Sequence, residues 1–256
     1  MDYPLSKSLV AEAYGTFVLV FIGTMAVTVA SDSTRFPAWA SLGVGFIGLA
    51  FGGALLAGIA TVGAVSGAHF NPAVTLAMFS AHRIPSRKVL PYILAQLGGA
   101  TAASLVQLVM VGTDSARVAD LGSTLPNQSL PLPFFAALLA EIVGTLILAM
   151  TILGSTDPDS AGTGWGTAGI GVSLSAVIFA LGAVSGASLN PARSLGPALV
   201  SLIFDPTPIV DYWVYLVGPI LGGLLAANLY IAIFKTTKPP EPLKQEGPPK
   251  QDELPA

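Results

Sequence analysis

GAVSGAHFNPA at residues 63–73 and GAVSGASLNPA at residues 182–192 are one phrase written twice. The copies differ only at His69-Phe70 against Ser188-Leu189. Each follows an apolar run and reads as a helix start. Asn is favoured as an N-cap, and Pro at the first helical position, where its missing N–H would be unpaired anyway. After Asn71-Pro72 comes AVTLAMFSA, about two and a half turns. After Asn190-Pro191 comes ARSLGPALVSLIF, in which Pro197 predicts a distortion. Both segments are too short to cross a bilayer, so the loop before each must be buried in protein or line a water-filled cavity. A polar, helix-starting phrase duplicated in an apolar chain points to one intramembrane site built from two halves.

The rest of the chain supplies the membrane setting. It is 53% hydrophobic and only 10% charged over 256 residues, with a mean hydropathy of +0.74. Soluble domains carry about 25% charged residues. Six runs, at roughly Leu9–Ala30, Ala40–Val62, Val89–Val111, Leu132–Leu153, Gly164–Val184 and Ile209–Phe234, each approach the ~20 residues a spanning helix needs. Trp39, Trp165 and Trp213 fall at expected span ends, where the interface favours them. The first run has a partner later in the chain and is expected to be retained rather than cleaved as a signal peptide. A net charge of −3 argues against a nucleic-acid partner. The absence of cysteine excludes disulfides, thiolate chemistry and cysteine metal sites.

Basic residues set the expected orientation. Lys7, Arg83, Arg87, Lys88, Lys235, Lys238, Lys244 and Lys250 share one side, and Arg35 and Arg117 the other, with Arg193 in the second phrase. This places both termini in the cytoplasm and the protein in the cell membrane as a multi-pass chain. The membrane-spanning domain is expected over residues 1–234. The segment 235–256, rich in Pro, Lys and Glu, reads as a disordered cytoplasmic tail.

The halves match beyond the phrase. AEAYGTFVLV (11–20) corresponds to AEIVGTLILA (140–149), and AQLGGATAA (95–103) to PILGGLLAA (219–227). Repeat one thus covers about 6–111 and repeat two about 132–234. With three spans per half, the second half must enter the membrane upside down. Such inverted repeats place a site near the midplane on discontinuous helices. The fold class expected is therefore an all-α membrane protein, with six transmembrane helices and two re-entrant half-helices. Two helix N-termini meeting at the midplane create positive potential of about half a charge each, disfavouring cations and hydronium. The side-chain amides of Asn71 and Asn190 would donate to a passing water. The carbonyls of Gly67, Ala68, His69, Gly186, Ala187 and Ser188 would form a ladder of acceptors. This is a path for water and small neutral polar solutes through the lipid bilayer, requiring no cofactor and no metal.

SGAHFNPAV and SGASLNPARS resemble the paired NPA signatures of the aquaporins, the major intrinsic proteins: Asn71-Pro72-Ala73 and Asn190-Pro191-Ala192, the second followed by Arg193. The resemblance covers residues 6–234. It implies a homotetramer with one pore per subunit, and a selectivity filter of Phe51, Ile178, Ala187 and Arg193. An intramembrane arginine is costly unless it faces a polar cavity, which marks Arg193 independently. The resemblance also implies that Glu12 and Glu141 accept hydrogen bonds from the re-entrant loops.

Departures from the family patterns bear on selectivity. Strict water channels usually place histidine at the position of Ile178. Glycerol facilitators place glycine there, with tryptophan at Phe51 and a second aromatic at Ala187. Phe-Ile-Ala-Arg is closest to the archaeal filters and implies a wider, less polar constriction. Ser194, Ala198 and Tyr215 are water-channel-like, and Leu216 leans the other way. The expected activity is passive water conduction with some glycerol entry, the alternative being a glycerol facilitator. A coupled transporter would need titratable groups at the midplane, and the motif region offers none apart from Arg193. No nucleophile–base pair suggests an enzyme. Cysteine is absent at the mercurial-sensitive position, Ala187, so insensitivity is expected.

Overall fold

The computed structural model describes residues 3–157 and 166–234. The expected tail (235–256), Trp165 and most of the 154–163 loop lie outside the described residues. Ten α-helices run in order among the described residues: α1 (Leu5–Ser31), α2 (Pro37–Ala40), α3 (Gly43–Ser66), α4 (Pro72–Ser80), α5 (Ser86–Val118), α6 (Pro133–Ser155), α7 (Ala168–Ser185), α8 (Pro191–Ser201), α9 (Thr207–Val210) and α10 (Tyr212–Phe234). Six of them, α1, α3, α5, α6, α7 and α10, are long and apolar enough to span a bilayer. They are the six runs marked in the sequence. Large apolar side chains on their outer faces, such as Val10, Leu49 and Val109, are exposed, as lipid contact requires.

Glycine sets how closely the spans approach. A Cβ on Gly99 would lie 2.2 Å from the Ala13 carbonyl oxygen, and one on Gly222 would lie 2.3 Å from that of Ile142. Backbone therefore meets backbone where α5 crosses α1 and where α10 crosses α6. These glycines come from the paired AQLGG and PILGG segments. In α5, the helix breaks and resumes at Gly112 (φ 72, ψ 171), so it runs past the expected end at Val111 to Val118. Pro197 sits inside α8 without interrupting it. The loss there is one backbone bond, to the carbonyl of Arg193 four residues earlier. At that turn α8 packs closely on α5, where a Cβ at Gly196 would meet the Ala100 carbonyl at 2.6 Å.

The two short helices complete the bilayer crossing together. α4 has 9 residues and α8 has 11, about 14 and 16 Å at 1.5 Å per residue. Their sum is close to the ~30 Å hydrocarbon thickness. Each is entered through a loop that follows a spanning helix, α3 for one and α7 for the other. They start near each other at mid-depth and run to opposite faces. α4 ends on the face where α1 starts and α10 ends, called the terminal side below, and α8 ends on the far side. Trp39 and Trp213, about half exposed, sit at span ends on the far side.

Candidate functional site

Local chemistry builds each half-helix start. Asn71 has extended backbone, and its side chain accepts hydrogen bonds from the N–H of Ala73 (2.8 Å) and Val74 (3.5 Å). Asn190 does the same for Ala192 (3.0 Å) and Arg193 (3.2 Å). Pro72 and Pro191 occupy the first helical turn.

The asparagines also bind across the repeat. Asn71 Nδ2 donates to the carbonyl of Leu189 at 2.7 Å, and Asn190 Nδ2 donates to that of Phe70 at 2.9 Å. An amide NH2 has two hydrogens. One on each asparagine is spent locking the opposite loop, and one is left for whatever occupies the space between.

The loops that precede the caps are strained and held by carboxylates. Left-handed backbone occurs at Gly67, Ala68 and Phe70, and again at Gly186, Ala187 and Leu189. For residues with a Cβ this costs roughly 1–2 kcal/mol each. Glu12, fully buried, accepts from His69 N–H (3.0 Å), Phe70 N–H (2.7 Å), Ser66 Oγ (2.6 Å) and Gln96 Nε2 (2.8 Å). Glu141 accepts from Ser188 N–H (2.9 Å), Leu189 N–H (2.7 Å) and Ser185 Oγ (2.8 Å). Tyr92 and Tyr215 donate to the carbonyls of Ser66 (2.9 Å) and Ser185 (2.8 Å).

The matched AExxGT segments then make sense as the other half of the lock. Their glutamates grip the loops. Their glycines admit the loops' bulky residues: a Cβ on Gly15 would strike the Phe70 ring at 2.0 Å, and one on Gly144 would strike Leu189 at 2.5 Å.

Side-chain donors are ordered by their partners. Thr75 Oγ1 donates to the Asn71 carbonyl (3.0 Å) and accepts from Gln96 Nε2 (2.9 Å). Its 3.1 Å contact with His69 Nδ1 therefore assigns the proton to Nδ1 and leaves Nε2 as an acceptor. In the second repeat, Ser188 Oγ donates to the Asn190 carbonyl (2.9 Å), so Ser194 donates to Ser188 (2.5 Å) and Thr124 to Ser194 (2.7 Å). That hydroxyl chain ends on a carbonyl, which cannot pass a proton on.

Three cavities lie past these groups, neighbouring ones sharing lining residues. The terminal-side cavity is lined by Ile59, Gly63, Gly67, Ala68, Thr156 and Thr167 among others. The central one has an aliphatic wall of Leu19, Leu55, Leu148 and Leu174, facing His69, Asn71, Ser188 and Asn190. The far-side one includes Val44, Ser123, Thr124 and Gly186. Leu55 and Ile152 are shared by the first two, and Ile178 and Arg193 by the last two.

Ile178 and Arg193 are thus the residues at which the central and far-side cavities adjoin. The Phe51 ring lies 4.8 Å from the Arg193 guanidinium carbon, in cation–π geometry. Ala187 is buried in the same apolar cluster as Phe51 and Ile178, without lining either cavity. Among the described residues no group of three or more His, Cys, Asp or Glu could hold a metal ion.

Sequence reading missed Gln96, Thr75, Thr124 and Gly122, whose carbonyl accepts from Arg193 Nη1 at 2.7 Å. The one available signal was that Gln96 lies in the matched AQLGG segment and Thr75 four residues after Asn71.

Six spans, two half-helices capped N-terminus to N-terminus and a lumen beside the caps define a multi-pass membrane protein of inverted-repeat architecture. The major intrinsic protein family profile matches residues 2–230. The chain belongs to that family. It is 42% identical over 240 residues to Aquaporin AqpM of Methanothermobacter marburgensis, covering 88% of this chain and 96% of that protein. It is 36% identical over 222 residues to the glycerol uptake facilitator protein-like 6 of Lactiplantibacillus plantarum, covering 86% and 95%. The X-ray structure of the aquaglyceroporin from Plasmodium falciparum superimposes with a TM-score of 0.76 at 26% identity, covering 90% and 97%.

Proposed function

We propose that the chain is a passive channel for water that also admits small neutral solutes such as glycerol. The observation that carries this reading is the pair of Asn caps. Each keeps one amide hydrogen beside a lumen whose opposite wall is aliphatic. A water passing between Asn71 and Asn190 accepts from both through its oxygen, which turns its own hydrogens along the pore. Two half-helix N-termini, about half a positive charge each, repel hydronium and cations at the same depth. Exclusion by half-helix dipoles and an arginine is the general account for aquaporin-type pores.

Phe51, Ile178, Ala187 and Arg193 form the filter in this reading, with Arg193 as hydrogen-bond donor to the permeant and barrier to cations. The backbone of Gly67, Ala68, His69, Gly186, Ala187 and Ser188 supplies acceptors on either side, and Glu12 and Glu141 hold that backbone. A solute facilitator is the second reading, favoured by the absence of a polar side chain at Ile178. Stopped-flow light scattering on proteoliposomes separates the two. Rapid shrinkage in sucrose with raised glycerol entry fits the proposal, rapid glycerol entry with slow water flow fits a facilitator, and rates equal to empty vesicles overturn both.

The distribution of Lys and Arg supports cytoplasmic termini in the cell membrane, which protease access to a C-terminal tag in sealed cells would contradict. The family resemblance supports a homotetramer, which a monomer mass from light scattering in mild detergent would contradict.

A further inference from the structure

The inverted repeat gives each residue of the far-side filter a counterpart on the terminal side. The matched phrases align α3 with α7, and the matched AE segments align α1 with α6. Carried along these helices, Phe51 pairs with Ile170, Ile178 with Ile59, Ala187 with Ala68, and Arg193 with Val74. Ile59, Ala68 and Ile170 line the terminal-side cavity, and Val74 lines the central one. The terminal side thus carries an image of the filter in which every position is aliphatic.

One further exchange shapes that image. On the far side the Phe51 ring lies over Gly23, where a Cβ would come within 2.1 Å of the ring. The counterpart of Gly23 is Ile152. Bulk that α3 supplies on the far side as an aromatic ring is supplied on the terminal side by α6, as a branched chain in the same apolar cluster as Ile170. Ile152 and Leu55 are the residues at which the terminal-side and central cavities adjoin.

A permeant loses its water shell at that point. The terminal-side cavity encloses about 300 Å³ and the central one about 20 Å³, room for about one water. The corresponding step on the far side, from a cavity of about 120 Å³, passes Arg193, a charged donor. On the terminal side no free side-chain donor stands at the step among the described residues. Thr156 Oγ1 gives its proton to the Ile152 carbonyl at 2.7 Å, Thr167 is exposed just before α7, and neither lines the central cavity. Acceptors are present, because Gly67 can line the cavity only with backbone and His69 Nε2 carries no proton. A polar group that leaves water without a replacement partner costs free energy. Water has one oxygen to leave unserved, and glycerol has three.

We propose that Leu55 and Ile152 are specificity-determining residues: they form a second selectivity step, aliphatic and on the terminal side of the Asn caps, at which solutes larger than water are dehydrated. The inference rests on the channel reading and adds a barrier in series with the far-side filter. The two steps differ in chemistry, one matching solute acceptors with a guanidinium and the other offering hydrocarbon.

The test uses the full chain in proteoliposomes and reads the ratio of glycerol to water permeability, which does not depend on how much protein is folded. Ile152→Ala and Leu55→Ala each make room for a water to accompany the solute. An apolar pocket discriminates by about tenfold or more per methylene, so each truncation is expected to raise the ratio by about threefold or more. The activation energy of glycerol entry should fall with it, and Ile152→Phe should lower the ratio. Proton exclusion, read with a pH-sensitive dye, should persist, because the Asn caps and Arg193 are untouched. If Leu55→Ala fails to fold, the half-buried Ile152 decides alone. The proposal is overturned if wild type conducts water and Ile152→Ala leaves the ratio unchanged. It is also overturned if the ratio rises together with a proton leak, which would mean that the whole pore has loosened. A wild-type chain that conducts no water would instead overturn the channel reading, and this step with it.

Discussion

Replacing Glu12 with leucine tests whether a carboxylate holds the first re-entrant loop. In the native structure Glu12 accepts four hydrogen bonds, from His69 N–H, Phe70 N–H, Ser66 Oγ and Gln96 Nε2. Leucine keeps the bulk and removes every acceptor. The two side-chain donors can turn towards other partners, but the two backbone donors cannot. Each buried donor left unpaired costs about 1–3 kcal/mol, so the loss is about 2–6 kcal/mol from the backbone alone. That is a large share of a typical stability of about 5–15 kcal/mol. At about 2–4 °C per kcal/mol for a chain of this size, the melting temperature in detergent should fall by about 4–24 °C. A second substitution sharpens the argument. Gln96 Oε1 is buried without a partner in the native protein. Once Glu12 is gone, Gln96→Leu removes two unpaired groups, Oε1 and the freed Nε2 hydrogen, against the loss of one bond to Thr75, so the double variant should melt above Glu12→Leu. Scanning fluorimetry of the purified proteins reads both effects. A Glu12→Leu variant melting within about 2 °C of wild type would refute the carboxylate's role in holding the loop.

Arg193→Ala should raise entry of solutes larger than glycerol and admit protons, read by stopped flow and by a pH-sensitive dye in the same vesicles; unchanged profiles would remove Arg193 from the filter. The chain has no cysteine, so mercuric chloride should leave water flux intact, and Ala187→Cys should create a block reversed by thiol. A wild-type channel inhibited by mercury would contradict this. Gly99→Ala should destabilise the α1–α5 crossing, because its Cβ would sit 2.2 Å from a carbonyl oxygen; a melting temperature at or above wild type would mean that the helices part at no cost. On the far side, the Ser115 hydroxyl and the backbone N–H groups of Arg35 and Thr34 hold the buried Asp32 carboxyl below its usual range. Because its folded value is lowered, this stabilisation is complete above the ordinary carboxylate range and is lost as pH falls through the lowered value. Melting curves of wild type should therefore fall faster on acidification than those of Asp32→Asn, and parallel curves would count against it.

What could be read in advance follows from the range of the interactions. The caps at Asn71 and Asn190 bind N–H groups two and three residues away, so residue type and order suffice. The spans follow from apolar length, and the inversion from three spans per repeat. Other features depend on partners far along the chain. Gln96 meets Glu12 across 84 positions and Thr124 meets Ser194 across 70, so neither pairing can be read from neighbouring residues. The left-handed backbone at Asp120 (φ 44) and Leu121 (φ 55) runs against the preference of leucine, though aspartate tolerates it, so local reasoning points away from it. The expected third run stops at Val111, one residue before the kink at Gly112, because a glycine that ends a helix and one that only kinks it look alike in sequence.

The reciprocal bonds of the two asparagines have a consequence in time. Asn71 closes onto Leu189 over a separation of 118 residues, and Asn190 onto Phe70 over 120. Neither loop can satisfy its carbonyl alone. At a synthesis rate of about 5–20 residues per second, the first loop emerges and waits on the order of ten seconds for the second. During that wait a polar, strained segment sits at the edge of a half-built bundle in lipid. The lumen is consequently among the last parts of the molecule to take shape, closing only when the late half of the nascent chain has turned over and docked.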